Sequence, residues 1–223
     1  MSSFLLSYTE TNQLLQEFNI PIAPGGIVQS IDEGISLAAK VGFPVALKCI
    51  SPQITHKTDS QLVALSLQNL EELAKAAEKM LQKTQGVQVE GLLVQKMLND
   101  GVEVLVGSVL NEQFGQMLVI GYGGILTELV DSNKLGVLPL NGWQIQRLIE
   151  KMPLNKLIMG YRGAEAKDRV ALIQLIRQVS ELVSAYEKTL ISLDLNPVIV
   201  LPEGAFVVDA RVFMRKESDA KSK

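Results

Sequence analysis

The order of segments predicts an α+β protein rather than a doubly wound parallel sheet. Helical and strand-like stretches alternate early in the chain, consecutive strand-like runs follow, and two strands joined by a tight turn end it. The 223 residues suffice for one large domain or two lobes with a core each. With 47% apolar and 20% charged residues and a net charge of −3, the composition is globular and gives no bulk attraction to nucleic acid or an anionic membrane.

Each element follows from local patterning. "YTETNQLLQEFNI" spaces Leu14, Leu15 and Phe18 as a helix does, behind Ser and Thr capping candidates. In "SIDEGISLAAKVG", Ser30 and Glu33 stand at capping-box spacing and Gly42 is placed to end the helix. "FPVALKCI" reads as a buried strand, and "QLVALSLQN" alternates like one. "NLEELAKAAEKMLQKTQ" is an amphipathic helix capped by Asn69. The runs "VEGLLVQKML", "VEVLVGSVL" and "GQMLVIGYGG", broken at "NDG" and "NEQFG", predict an antiparallel meander. Helices around "GWQIQRLIEKM" and "KDRVALIQLIRQVSELVSAYEK" precede the strand–turn–strand "SLDLNPVIVLPEGAFVVDARVF". A lobe boundary falls in "VQKMLND", giving 1–96 and 97–214 as lobes and 215–223 as a flexible, polar tail.

Several function classes are set aside directly. A single cysteine, Cys49, excludes disulfide frameworks and cysteine-based zinc sites and fits a reducing compartment, where it serves as core filler. The N-terminus lacks a signal-peptide pattern and no run is long enough to span a membrane, so a cytoplasmic protein is expected. Neither GxxxxGK[ST] nor a GxGxxG after a strand occurs, so no P-loop or dinucleotide fingerprint is present.

The remaining candidates stand at strand ends. Lys48 closes an apolar strand and must either snorkel to its edge or meet an anion, because an unpaired buried ammonium is costly. Asp194 and Asn196 in "LDLNP" and Asp209 in "VVDA" lie on strands joined by a short turn. Their oxygens suit a hard cation such as Mg²⁺ that shares phosphates and water, although an Asx turn before Pro197 explains the same residues. In "GYGGILTELVD", Gly123 and Gly124 either expose N–H groups to an anion or make a hairpin turn, with Glu128 and Asp131 following. His56, the only histidine, sits in a polar segment with no partner evident from spacing.

Taken in order, "GFPVALKCISPQITHKTD", "VEGLLVQKM", "GVEVLVG", "GYGGILTELVD", "YRG" and "LDLNPVIV…VVDAR" resemble the ATP-grasp subunit of ADP- or NDP-forming acyl-CoA (acetyl-CoA) synthetases, cousins of the succinyl-CoA synthetase beta chain. The likeness extends over about residues 6–213. It implies an ATP-grasp fold, two α+β lobes holding ATP or ADP in a cleft between them, with Mg²⁺. By resemblance, Lys48 neutralises nucleotide phosphates; Gln95, Lys96 and Met97 lie at the hinge that presents backbone groups to adenine; and Glu103 serves the ribose or phosphate region. Asn196 and Asp209 match metal ligands, with Asp194 preceding them as a catalytic candidate. His56 of "HKTD" matches a proposed second phosphoryl relay and Lys57 assists by charge. A CoA-ligase (alpha-type) partner carrying a phosphohistidine is implied, hence a hetero-oligomer.

Two departures from the family pattern stand out. Where relatives follow "HKTD" with a valine and two glycines, this chain has Ser60, Gln61 and Leu62, which would bring bulk beside the nucleotide. "DSNKLGVLPL" offers Lys134 where an arginine is common, and lysine lacks the bidentate fork. The alternative these support is a weakened ATP-grasp relative that binds nucleotide or a partner for regulation. A stand-alone carboxylate–amine ligase is the third reading, and the retained "HKTD" speaks against it.

Overall fold

The computed structural model describes residues 3–51, 62–124, 126–129 and 133–216, with Glu128 and Leu129 described by their backbone alone. The chain divides into two compact units, Ala23–Asn99 and a larger one combining Met1–Ile22 with Asp100–Lys223.

The smaller unit is a four-stranded antiparallel sheet with two helices. Its strands are β2 (Gly25–Val28), β3 (Val45–Ile50), β4 (Val63–Leu67) and β5 (Gly91–Lys96), in the order β2-β5-β3-β4. Its helices are α2 (Ile31–Val41) and α3 (Leu70–Lys83). Ser30 and Asn69 start them by accepting the Glu33 and Glu72 N–H groups at 3.2 and 3.0 Å, satisfying donors with no intrahelical partner. Ala38, Leu73, Ala77 and Met80 from the helices pack on Val45, Leu47, Cys49, Leu92 and Val94 of the sheet, and Cys49 is core filler as expected.

The larger unit carries a seven-stranded antiparallel sheet whose main path is β1 (Ser3–Leu5), β11 (Ala210–Arg215), β9 (Leu190–Val200), β6 (Val102–Asn111), β7 (Gly115–Tyr122), β8 (Lys134–Val137). The short β10 (Ala205–Val207) pairs with β9 off this path. Helices α1 (Tyr8–Glu17), α5 (Gly142–Glu150), α6 (Leu154–Ile158) and α7 (Arg169–Ala185) supply the rest of its core, and α4 (Leu126–Leu129) is a single turn. In α7, Leu172, Leu175, Ile176, Val179, Leu182 and Val183 recur at helical spacing and bury against Leu193, Leu195 and Val212. Among the described residues no helix is long and apolar enough to cross a membrane.

Two sequence expectations change. The turn at "NDG" does not close a hairpin: β5 and β6 belong to different sheets, and β6 pairs with β7 and β9 instead. A turn dipeptide reports local chain reversal but not the strand's partner, which is chosen by long-range burial. The leading segment also differs from the 1–96 lobe. Leu14, Leu15 and Ile20 bury in the larger unit's core, β1 pairs with β11, and the Val207 N–H donates to the Pro21 carbonyl at 2.8 Å. Helical periodicity shows that a helix has an apolar stripe, not which sheet receives it.

Leu15 is fully buried. Leu15→Ala is expected to cost about 2–5 kcal/mol in urea unfolding, with amide exchange accelerated through β9 and β11 and unchanged in Ala23–Asn99. Equal acceleration in both units would contradict the division.

Candidate functional site

In the smaller unit, β3 and β5 place Lys48 and Gln95 on one face. Ala46 lies opposite Gln95 and Lys48 opposite Leu93, so Lys48 and Gln95 are diagonal neighbours. The half-buried Lys48 Nζ donates to Gln95 Oε1 at 3.0 Å, and Gln95 is only 1% exposed. Gln95 therefore holds the ammonium in place through its side chain.

Lys96 points elsewhere. Its Nζ donates to the Gly42 and Phe43 carbonyls at 2.9 and 2.7 Å, a cation at the C-terminal end of α2. The Lys96 and Met97 N–H groups donate to the Pro24 and Pro44 carbonyls at 2.7 and 3.0 Å. These two bonds come from the proline-flanked loops that close on the end of β5. The Met97 sulfur accepts the Ser66 N–H at 2.9 Å. Leu62 is 3% exposed within the small core, and its carbonyl accepts the Cys49 N–H at 2.9 Å. Its side chain joins the core with Cys49, on the opposite face of β3 from Lys48, so the bulk expected beside phosphate is absent at that position.

In the larger unit, the ladder between β9 and β11 sets Asp194 opposite Arg211. One pair further along, the Asn196 N–H donates to the Asp209 carbonyl at 3.1 Å. Alternation along a strand then places Asp194, Asn196, Asp209 and Arg211 on one face, while Leu193, Leu195 and Val212 fill the core on the other. Asp194 keeps an exposed edge, yet its pKa is raised above the ordinary aspartate value. Desolvation by the surrounding protein is the main cause, Arg211 opposes it, and the negative charge of Asp209 adds to it.

Asn196 ties this face to the glycine turn after β7. Its Oδ1 accepts the Gly124 N–H at 2.9 Å and its Nδ2 meets Thr127 Oγ1 at 3.3 Å. The Gly123 N–H donates to the Glu103 carbonyl at 3.0 Å. Both glycine amides thus have protein acceptors, and the reading in which they cradle an anion is replaced by one of close packing. A Cβ at Gly123 would meet Val104 backbone at 2.8 Å, and one at Gly124, whose φ is +58°, would run into the carboxylate of the exposed Glu103.

His56, Lys57, Gln61, Asp131 and the Glu128 side chain lie outside the described residues. Sequence reasoning missed Thr127, which carries no motif of its own, and Tyr8 on α1. Burial raises the pKa of the Tyr8 hydroxyl, a hydrogen bond with Asn12 opposes this, and the charge of Asp209 contributes to the rise. Only the tertiary docking of α1 brings Tyr8 near that carboxylate.

The donor set suits a hard divalent cation that arrives with a nucleotide. An amide carbonyl and carboxylates are the oxygen ligands Mg²⁺ takes, and Asn196 Oδ1 retains a second lone pair after accepting from Gly124. Among the described residues there is no cluster of three or more His, Cys, Asp or Glu fit to hold a metal alone. Such a site needs phosphate oxygens and water to complete it.

Two α+β units, each an antiparallel sheet backed by helices, are the architecture of ATP-grasp proteins, and the chain belongs to the ATP-grasp domain family, which it matches over residues 2–214. Among its relatives, the ADP-forming acetate–CoA ligase II subunit beta of Pyrococcus furiosus is 32% identical over 212 residues, 92% of this chain and 90% of that one. The ADP-forming acetate–CoA ligase I of Archaeoglobus fulgidus is 33% identical over 208 residues, 92% of this chain and 30% of that longer one. A solved structure of the dinucleotide-forming acetyl-coenzyme A synthetase 1 of Ca. Korarchaeum cryptofilum, with coenzyme A, Ca-AMPCP and HgCl⁺, is similar at a TM-score of 0.86 and 32% identity, covering 95% of this chain and 93% of that chain. A second structure of that protein, with coenzyme A and Mg-AMPPCP, has its phosphohistidine segment pointing towards the nucleotide binding site; it matches at a TM-score of 0.81 and 30% identity, over 94% and 92% of the two chains.

Two outcomes are expected. Because the folded-state pKa of Asp194 lies above the unfolded one, the folded chain binds the extra proton. This group's contribution to stability is complete below the ordinary aspartate range and is lost as pH rises through the raised value. The difference in calorimetric melting between Asp194→Asn and the unmutated chain across acidic pH should show that decline as the part the variant loses. Gly124→Ala combines left-handed backbone strain with a collision at Glu103 and is expected to cost about 1–3 kcal/mol, read by chemical denaturation, with part recovered in Gly124→Ala/Glu103→Ala.

Proposed function

We propose that this chain is the nucleotide-handling ATP-grasp subunit of an NDP-forming acyl-CoA synthetase. It binds Mg²⁺ with ADP or ATP and transfers a phosphoryl group between a phosphohistidine and ADP. With a separate CoA-ligase subunit the overall conversion is acyl-CoA, ADP and phosphate to carboxylate, CoA and ATP. The observation that carries this reading is the oxygen-rich face of Asp194, Asn196 and Asp209. Family membership and relatives named as ADP-forming acetate–CoA ligases support it.

In this reading each residue has a definite task. Lys48, steadied by Gln95, places a point charge against nucleotide phosphates. Asn196 and Asp209 hold the metal, whose charge offsets that of the diphosphate when bound. Asp194 contributes further negative potential on the same face. His56 receives the phosphoryl group: a P–N bond to the partner's phosphohistidine breaks as one to the His56 imidazole forms, and an ADP oxygen then displaces His56. Lys57 stabilises the phosphoryl oxygens during both displacements. Glu103 and the segment from Gln95 to Met97 border the nucleoside. The reaction belongs in the cytoplasm, where its nucleotide and CoA substrates are found, and the partner subunit chooses the acyl group. The burial of Leu62 in the small core favours a working site over a purely regulatory relative, because it removes the steric objection at that position.

Titration calorimetry of the full chain with Mg·ADP is expected to show binding that Asp209→Ala weakens by about 10- to 100-fold or more; no heat with the unmutated chain would refute the reading. With the CoA-ligase partner and γ-labelled ATP, label should reach the partner's histidine. His56→Ala should block that transfer while leaving Mg·ADP binding intact, and undiminished transfer would remove His56 from the mechanism.

A further inference from the structure

The Asn196 side chain has an oxygen and a nitrogen that are nearly the same size, and only one of them can serve a cation. Its hydrogen bonds decide which is presented. The Thr127 hydroxyl donates its single hydrogen to the Tyr122 carbonyl at 2.9 Å. Toward Asn196 the same oxygen therefore acts only as an acceptor, so the group it meets at 3.3 Å is the Nδ2 donor. On the other side, the Gly124 N–H requires an acceptor and finds Oδ1 at 2.9 Å. Reversing the amide would set Nδ2 against the Gly124 donor and Oδ1 against a hydroxyl oxygen whose hydrogen is already engaged. Both contacts oppose reversal, and all partners lie within the larger unit.

We propose that Thr127 is a positioning residue: by engaging Tyr122 and accepting from Nδ2, it fixes Asn196 with its oxygen toward Gly124 and the second lone pair of that oxygen available to a divalent cation. This rests on the reading of Asn196 as a metal ligand and deepens it. In this role Thr127 acts through the amide of Asn196. Glycine at 124 complements it, since the backbone N–H there is the donor that claims Oδ1.

The test uses the full chain with ADP, and Mn²⁺ as the paramagnetic stand-in for Mg²⁺, comparing Thr127→Val, Thr127→Ser and Asn196→Ala. Free Mn²⁺ measured by electron paramagnetic resonance gives metal affinity, and calorimetry with ADP plus a chelator gives metal-free nucleotide affinity. Thr127→Val, which keeps the shape but loses the hydroxyl, is expected to weaken Mn²⁺ binding by about 10- to 100-fold with metal-free ADP affinity unchanged. Thr127→Ser, which keeps the hydroxyl, restores the unmutated affinity. If Thr127→Val lowers the melting temperature too far to be assayed, Thr127→Ala carries the same expectation. Unmutated Mn²⁺ affinity in Thr127→Val, with weakened binding in Asn196→Ala, overturns the role of Thr127 alone. Unmutated affinity in Asn196→Ala overturns both this proposal and the assignment of Asn196 as a ligand. Weakened binding in Thr127→Ser as well as Thr127→Val also overturns it, since the hydroxyl would then not be the operative group.

Discussion

The antiparallel register between β9 and β11 is the constraint on which the larger unit's polar face depends. It sets Asp194 against Arg211 and Asn196 against Asp209, and the same alternation sends Leu193, Leu195 and Val212 into the core. A slip of one residue would bury the charged set and expose the leucines, so the hydrophobic burial that stabilises the sheet also fixes where the oxygens stand. Burial and site geometry are two consequences of one register.

On that frame, several part-buried polar groups near the candidate site are held by protein partners. Asn196 bridges Gly124 and Thr127, Lys48 donates to Gln95, and Lys96 closes the end of α2. Pairing of this kind avoids the cost of unsatisfied buried polar atoms and narrows each side chain to a single orientation. Gln95 accepts from the lysine beside it, and the glycine turn donates to an asparagine. The pKa of Asp194 is raised because desolvation and a neighbouring carboxylate outweigh a nearby arginine.

Much of the local structure was legible in the sequence. The helix caps at Ser30 and Asn69, the amphipathic stripes of α3 and α7, the strands around Lys48 and Asp194, and the buried Cys49 all express rules that act over a few residues. The neighbourhood of Asn196 and Asp209 was legible too, because a tight return of the chain between β9 and β11 leaves little choice of partner. Thr127 was not, since a threonine in a one-turn helix has no pattern that separates a solvated hydroxyl from one wedged between a carbonyl and an amide. The short strands β1, β2 and β8 also escaped notice, being too brief to show alternation.

The sequence by itself determined the longer helices and strands, their caps, the α+β class and the motif residues, because 3.6- and 2-residue periodicities and capping chemistry are local properties. The tertiary structure alone decided that β1 joins the sheet formed by the last strands and α1 the larger unit's core, that β6 pairs with β9 and not β5, that Leu62 enters the core and that the Gly124 amide meets Asn196. Those outcomes depend on which apolar surfaces are jointly excluded from water and on which distant donor meets which acceptor, and the hydrophobic effect that selects among them is non-directional and carries no signature in a short stretch of chain.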